Sequence, residues 1–173
     1  MTARKRGYYD FGEGPVAAHQ HPRGGGWVAE TVDMDPDAFL EMGSVVFGRA
    51  RVLGPVRIVD ASIVRDDAWV WGNVRIDKGS MVCENGMVSE EAWVSGGSIV
   101  RGCAWVTGKA YLGGGSVARD QALVAQDARV EERSEVGGRA QVYGAAELRN
   151  GAQLLGDEKL FGEQRKRGMG PGG

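Results

Sequence analysis

Small and aliphatic residues recur along this chain with a period of six residues. From Gly26 to residue 163 the sequence divides, without an insertion, into units of the form small, x, aliphatic, x, turn, x. The third position is Val, Ile, Leu or Met in every unit except at Ala118, and the first is Gly, Ala, Ser or Val except at Glu158. Because neighbouring residues of a strand point to opposite faces, positions one and three share a face. The pattern predicts short strands that bury both positions.

The fifth position of each unit carries residues that turn the chain. From residue 48 onward it is mostly Gly, with Asp or Asn in several other units, and these residues accept a positive φ at low cost. A bend after every strand therefore accounts for the 29 glycines among 173 residues. Acidic pairs such as Asp66-Asp67 and Glu90-Glu91 fall at these corners. We expect them to be solvated charges rather than a catalytic carboxylate pair.

A serine recurs every 18 residues at the first position, which indicates that three units form one coil. The predicted fold is all-β, a triangular parallel β-solenoid with about 18 residues per coil and about 7.7 coils. We expect an N-terminal arm or cap over 1–25, the solenoid over 26–163, and a flexible basic Gly-rich tail over 164–173. The recurring serines are Ser44, Ser62, Ser80, Ser98, Ser116 and Ser134.

Units such as Ala50-Arg-Val-Leu-Gly-Pro55 and Ala140-Gln-Val-Tyr-Gly-Ala145 resemble the hexapeptide-repeat left-handed parallel β-helix superfamily. The glycine stands two residues after the aliphatic one, as in a divergent subgroup with Ala-x-Val-x-Gly-x units that is found in bacteria and phages. The resemblance covers residues 26–163. It implies a single-stranded left-handed β-helix and a parallel homotrimer.

The commonest members of that superfamily are acyltransferases that use a histidine general base, and its carbonic anhydrases hold zinc with three histidines. This chain has two histidines, His19 and His21, and both precede the repeat. We therefore expect no catalytic residue, no metal ligand and no cofactor. Two alternatives stay open: an acyltransferase-like transferase that uses other residues, and a small-ligand binder at an inter-subunit groove.

Charge and composition exclude several other classes. With 21 basic and 23 acidic residues, the net charge of −2 gives no general attraction for nucleic acid. No apolar run reaches the length of a membrane span and no signal peptide is recognisable, so we expect a cytoplasmic or virion-associated protein. Cys83 and Cys103 are expected to be free thiols.

The outward residues differ between the three predicted faces. We call the face that contains the serine units the first face, and the two that follow it in each coil the second and third faces. The second face is uncharged from residue 69 to 125, and the first carries an aliphatic column beside three arginines, whereas the third is mostly polar. We predict an oligomer interface at Ile63, Trp69, Trp71, Met81, Met87, Ile99, Trp105, Val117 and Leu123. The polar corner beside it comprises Arg65, Arg101 and Arg119, and Arg65 and Arg101 are expected to lie over tryptophan rings.

The arm over 1–25 is too short to bury a core of its own. It either caps the open end of the solenoid or binds a partner through Tyr8, Tyr9, Phe11, His19 and His21. Taken together, the sequence favours a non-catalytic trimeric structural or binding module. Such a module is suited to decorate a larger particle such as a phage virion.

Overall fold

The computed structural model describes residues 6–168, which form β-strands and turns with no helix. About 8 stacked turns of 18 residues each make a parallel β-solenoid, as the repeat predicted. The strands, numbered in chain order, are β1 (Arg6–Asp10), β2 (Pro15–Gln20), β3 (Trp27–Ala29), β4 (Asp33–Met34), β5 (Phe39–Leu40), β6 (Val45–Val46), β7 (Arg51–Leu53), β8 (Arg57–Ile58), β9 (Ile63–Val64), β10 (Trp69–Gly72), β11 (Arg75–Ile76), β12 (Met81–Val82), β13 (Met87–Glu90), β14 (Trp93–Val94), β15 (Ile99–Val100), β16 (Trp105–Val106), β17 (Tyr111–Leu112), β18 (Val117–Ala118), β19 (Leu123–Val124), β20 (Arg129–Val130), β21 (Glu135–Val136), β22 (Gln141–Val142), β23 (Glu147–Arg149), β24 (Gln153–Leu154), β25 (Lys159–Leu160) and β26 (Arg165–Arg167).

Three parallel sheets form the sides of the solenoid. From β3 onward, each strand pairs with the strand three places further along the chain. The first face runs from β3 to β24, the second from β4 to β25 and the third from β5 to β26. The register is 18 residues, so that Trp69 lies beside Met87 and Met87 beside Trp105. Equivalent positions of successive coils therefore form straight columns along the axis, about 4.8 Å apart.

The core is the inward column of first and third positions. From Val28 to Leu154 the third-position aliphatic residues inside the coils are almost fully buried, apart from Met34 near the N-terminal end. The serines of the first face are also fully buried, and four of the six hydroxyls have a hydrogen-bond partner, whereas those of Ser62 and Ser134 have none within residues 6–168. Ser116 Oγ donates to Gly113 O at 2.7 Å and accepts from Ser134 N–H at 3.2 Å. A serine can therefore replace alanine on this face with its hydroxyl paired to backbone groups, as at Ser116.

The corners depend on left-handed backbone conformations. Every fifth-position residue from 48 to 162 has a positive φ, including the non-glycine residues Lys78, Glu84, Glu90, Gln126 and Glu132. Several corner glycines also lie directly against the next coil. A Cβ atom added to Gly108 would approach the backbone N of Gln126 to 2.7 Å. Glycine at these sites thus provides both the turn and the close stacking of coils.

Acidic corner residues tie successive coils together, which differs from the expectation of merely solvated charges. Asp66 accepts a hydrogen bond from the backbone N–H of Glu84 at 2.9 Å, and Glu84 accepts one from Gly102 at 2.8 Å. Asp120 does the same for Gly138 at 2.9 Å. These carboxylates satisfy corner N–H groups that no strand pairing would reach.

The N-terminal segment covers part of the first coil's edge. β1 and β2 form an antiparallel hairpin, and β2 pairs antiparallel with β3, so the sheet of the first face continues into the hairpin. The N–H of Leu40 also donates to the carbonyl of Arg23 at 2.9 Å, which covers the edge of the third face. Residues 1–5 of the predicted arm lie outside the described residues.

The solenoid continues beyond residue 163, where the repeat was expected to end. Arg165–Arg167 pairs in parallel with β23, so this part of the predicted tail is a strand. Its central residue, Lys166, takes the position that is aliphatic in the coils, and its Nζ lies 2.7 Å from Oε2 of Glu158. This ion pair lies at the C-terminal end of the described core, and it joins the two residues that depart from the small and aliphatic pattern. Residues 169–173 lie outside the described residues.

Candidate interaction faces

The second face carries a cluster of three tryptophans. Trp69 and Trp71 have ring centroids 4.7 Å apart, and Trp71 and Trp105 are 6.2 Å apart. Trp69 is 40% exposed and Trp105 is 37% exposed. The indole N–H of Trp105 donates to Ser89 Oγ at 2.9 Å, which fixes the ring on the sheet. We call Trp69, Trp71 and Trp105 the tryptophan cluster; it is an exposed apolar surface in a fixed arrangement.

Half-buried apolar residues extend the tryptophan cluster along the second face. Met87 lies between Trp69 and Trp105 in the outward column, and Leu123 follows Trp105. The first face bears a second apolar column whose members are also half-buried and in register. That column consists of Val45, Ile63, Met81, Ile99 and Val117. The structure thus aligns all nine residues of the predicted interface in columns on two adjacent faces.

The three arginines of the predicted polar corner lie at equivalent positions of the first face, but they differ in their ion pairs. Arg65 pairs with Asp66 at 3.4 Å, and Arg119 forms ion pairs with Asp120 and Glu135. Hydrogen bonding to Glu135 raises the pKa of Arg119. Arg101 is exposed.

The expected stacking of Arg65 and Arg101 on tryptophan is not what the structure shows. Within residues 6–168, the arginines that stack on aromatic rings are on the third face. Arg57 lies 5.0 Å from the ring centroid of Phe39, and Arg75 lies 5.6 Å from that of Trp93. The reason is register: these residues are adjacent members of one outward column, whereas Arg65 and Trp69 are on different faces.

Four of the five arm residues predicted to bind a partner are engaged within the chain. Tyr9 stacks on Trp27 with centroids 4.9 Å apart, and Phe11 stacks on Phe47 at 4.8 Å. His19 Nδ1 lies 2.9 Å from Glu30 Oε1, and His21 is buried and contacts Arg23. Tyr8 is 77% exposed. The hairpin therefore docks through one side and presents Tyr8 on the other.

The third face contains an ordered polar and aromatic cluster that sequence reasoning missed. Asp77 is fully buried, and Arg75 Nε donates to its Oδ2 at 2.6 Å. Burial opposes ionisation of Asp77, but the neighbouring polar groups of Ser95, Arg75 and Trp93 outweigh it and hold the pKa of this carboxyl below its ordinary value. Arg75 also lies over the ring of Trp93, so the ion pair and the aromatic residue are adjacent on this face.

An open groove of about 640 Å³ lies beside this cluster, over Trp93 and Tyr111. The signal in the sequence was the 18-residue spacing of Trp93 and Tyr111 together with Gly113 at a position where neighbouring coils carry side chains. The sequence did not predict the groove, because the charged residues around Trp93 and Tyr111 are typical of a solvated surface.

No family model matches the chain, and no curated protein matches it. Within residues 6–168 there is no group of three or more His, Cys, Asp or Glu side chains that would hold a metal ion. The part of the chain that the structure describes contains no helix able to span a membrane. The class that the fold defines is a β-solenoid protein with two apolar faces.

Proposed function

We propose that this protein is a non-catalytic, trimeric β-solenoid that serves as a rigid structural or binding module of a larger assembly. A particle such as a phage virion, or a cytoplasmic complex, is the proposed setting. The tryptophan cluster is the observation that carries the proposal. Single exposed aromatic residues are common, but a contiguous apolar patch on a monomer is typical of an interface.

The arrangement of the apolar columns favours a cyclic trimer. Two different apolar faces share one corner of the solenoid, so the first face of one copy can pack against the second face of the next. Three such contacts close a ring and leave the charged third face outside. The six-residue repeat supports membership of the hexapeptide-repeat superfamily, and left-handed winding is part of the same proposal.

Sedimentation velocity over a range of protein concentrations tests the trimer. We expect a species of about 55 kDa, three times the chain mass of 18.5 kDa. Trp105→Arg places an unpaired charge at the centre of the apolar patch and should weaken assembly by at least about 2 kcal/mol, roughly thirtyfold in dissociation.

Trp93→Arg is the matched control, because Trp93 is 40% exposed but lies on the third face. We expect this variant to keep the trimer mass. A wild-type protein that stays monomeric at high concentration would overturn the proposal. Equal behaviour of the two variants would show that the second face is not the interface.

The larger partner is proposed to contact the N-terminal hairpin. Tyr8 is the arm aromatic that faces solvent, while Tyr9 and Phe11 hold the hairpin against the first coil. Partner binding and capping therefore use opposite sides of the same hairpin. Ligand binding also has a specific observation in its favour, the groove on the third face, but this groove is formed within one chain and is not the inter-subunit groove named among the alternatives above.

A further inference from the structure

The groove on the third face runs along the solenoid axis over four successive coils. One wall is the corner column Glu91, Lys109 and Asp127, and the other is the outward column that contains Trp93, Tyr111 and Arg129. With coils about 4.8 Å apart, its length is roughly 14 Å. This shape suits an extended ligand of a few units better than a single small molecule.

Trp93 and Tyr111 form the aromatic part of the groove. Their ring centroids are 5.0 Å apart, and Trp93 remains 40% exposed. A Cβ atom on Gly113 would lie 2.4 Å from the phenol end of Tyr111. The tyrosine ring therefore leans over the backbone of Gly113, because no side chain stands there. The two ring planes are inclined at 64°, and Arg75 lies 5.6 Å from the ring centroid of Trp93. Each ring therefore offers its remaining exposed surface to a separate flat, partly apolar ring of a ligand.

The polar walls of the groove offer both donors and acceptors. Within the described chain, Glu91, Lys109 and Asp127 take part in no ion pair, although they alternate in sign along the corner. Glu131 and Glu147 are already paired with Arg149, at 3.1 and 3.4 Å. The unpaired groups can therefore hydrogen-bond to a ligand without a strong preference for either charge.

We propose that this groove binds a neutral oligosaccharide. The C–H faces of sugar rings stack on Trp93 and Tyr111, and the sugar hydroxyls donate to Glu91 and Asp127 and accept from Lys109. The carboxylates of the groove would repel a polyanion, and Lys109 and Arg129 would repel a basic peptide. An uncharged polyol avoids both repulsions. The site lies outside the proposed trimer interface and does not depend on it.

A screen of the full-length protein on an array of neutral oligosaccharides tests this site. Titration calorimetry then follows with maltohexaose, cellohexaose and N-acetylchitohexaose as soluble probes, and with hexalysine as the cationic comparison. We expect saturable binding of at least one neutral hexasaccharide. Tyr111→Leu should weaken it at least about tenfold.

Gly113→Ala is the sharper variant, because it keeps the tyrosine but displaces its ring. The φ of Gly113 is not left-handed, so alanine fits the backbone without strain. We expect unchanged thermal unfolding and the same tenfold loss of binding. Tyr143→Leu is the control, since Tyr143 stacks on Phe161 on the second face, away from the groove.

The outcomes separate cleanly. Absence of binding to every neutral saccharide overturns the proposal, as does binding that Tyr111→Leu and Gly113→Ala leave unchanged. Binding of hexalysine instead of sugars, with the same sensitivity to these variants, assigns the groove to basic polypeptides and also overturns it. Trp105→Arg should leave saccharide binding unchanged even if it dissociates the trimer. The trimer proposal and the saccharide proposal can therefore fail independently.

Discussion

Two glycines allow the cost of coil stacking to be separated from the cost of the turn. Gly108 and Gly97 both have a φ of 73°, but only Gly108 faces the next coil. A Cβ at Gly108 would lie 2.7 Å from the backbone N of Gln126 and 2.8 Å from its Cα, whereas one at Gly97 meets nothing within 4 Å. The pair Gly108→Ala and Gly97→Ala therefore differs mainly in this contact.

The expected magnitudes follow from these distances. Alanine in a left-handed conformation costs about 1–2 kcal/mol in either variant, partly offset by about 0.4–1 kcal/mol because alanine restricts the unfolded chain. Gly108→Ala adds overpacking against rigid backbone, at about 1–3 kcal/mol. We expect Gly97→Ala to reduce the free energy of unfolding by about 1 kcal/mol or less and Gly108→Ala by about 2–4 kcal/mol.

Urea unfolding followed by tryptophan fluorescence measures the difference. Both variants must be compared at one protein concentration, because assembly adds to apparent stability. Equal losses for the two variants would refute the reasoning. They would show that the corner relaxes around a side chain at Gly108 as it does around Gln126, which has a φ of 62° in the same column.

Two further predictions concern the hairpin and the third face. Tyr9→Ala should lower the free energy of unfolding by at least about 1 kcal/mol, because it removes stacking on Trp27, while Tyr8→Ala should leave stability unchanged and weaken partner co-sedimentation. Similar unfolding of the two variants would contradict this account of the hairpin. The depressed pKa of Asp77 stabilises the fold above its ordinary value of 3.8 and loses that contribution as pH falls through the native value. Asp77→Asn should therefore lose less stability than the wild type during acid titration below about pH 4; an unchanged slope would contradict it.

The fold was determined almost entirely by local periodicity. Positions one and three had to be small and aliphatic because they meet inside a narrow coil, and the serine period of 18 gave the number of strands per turn. The two apolar faces also followed, because straight columns preserve residue spacing. The periodicity predicted an end of the solenoid at residue 163, because Lys166 does not match the aliphatic pattern, although β26 pairs with β23 in the regular register.

The contacts between columns were decided only by the tertiary structure. The periodic sequence does not specify that the hairpin docks through Tyr9 and Phe11, nor that Arg75 rather than Arg65 stacks on an indole. The groove on the third face depends on the direction of the Tyr111 side chain. Because Gly113 has no Cβ, the ring of Tyr111 can lie against the backbone of the sheet there. A repeat fixes which residues lie side by side because backbone hydrogen bonds impose the register. How each outward side chain then turns depends on the volume and charge of its neighbours in adjacent coils, and these vary from one repeat to the next.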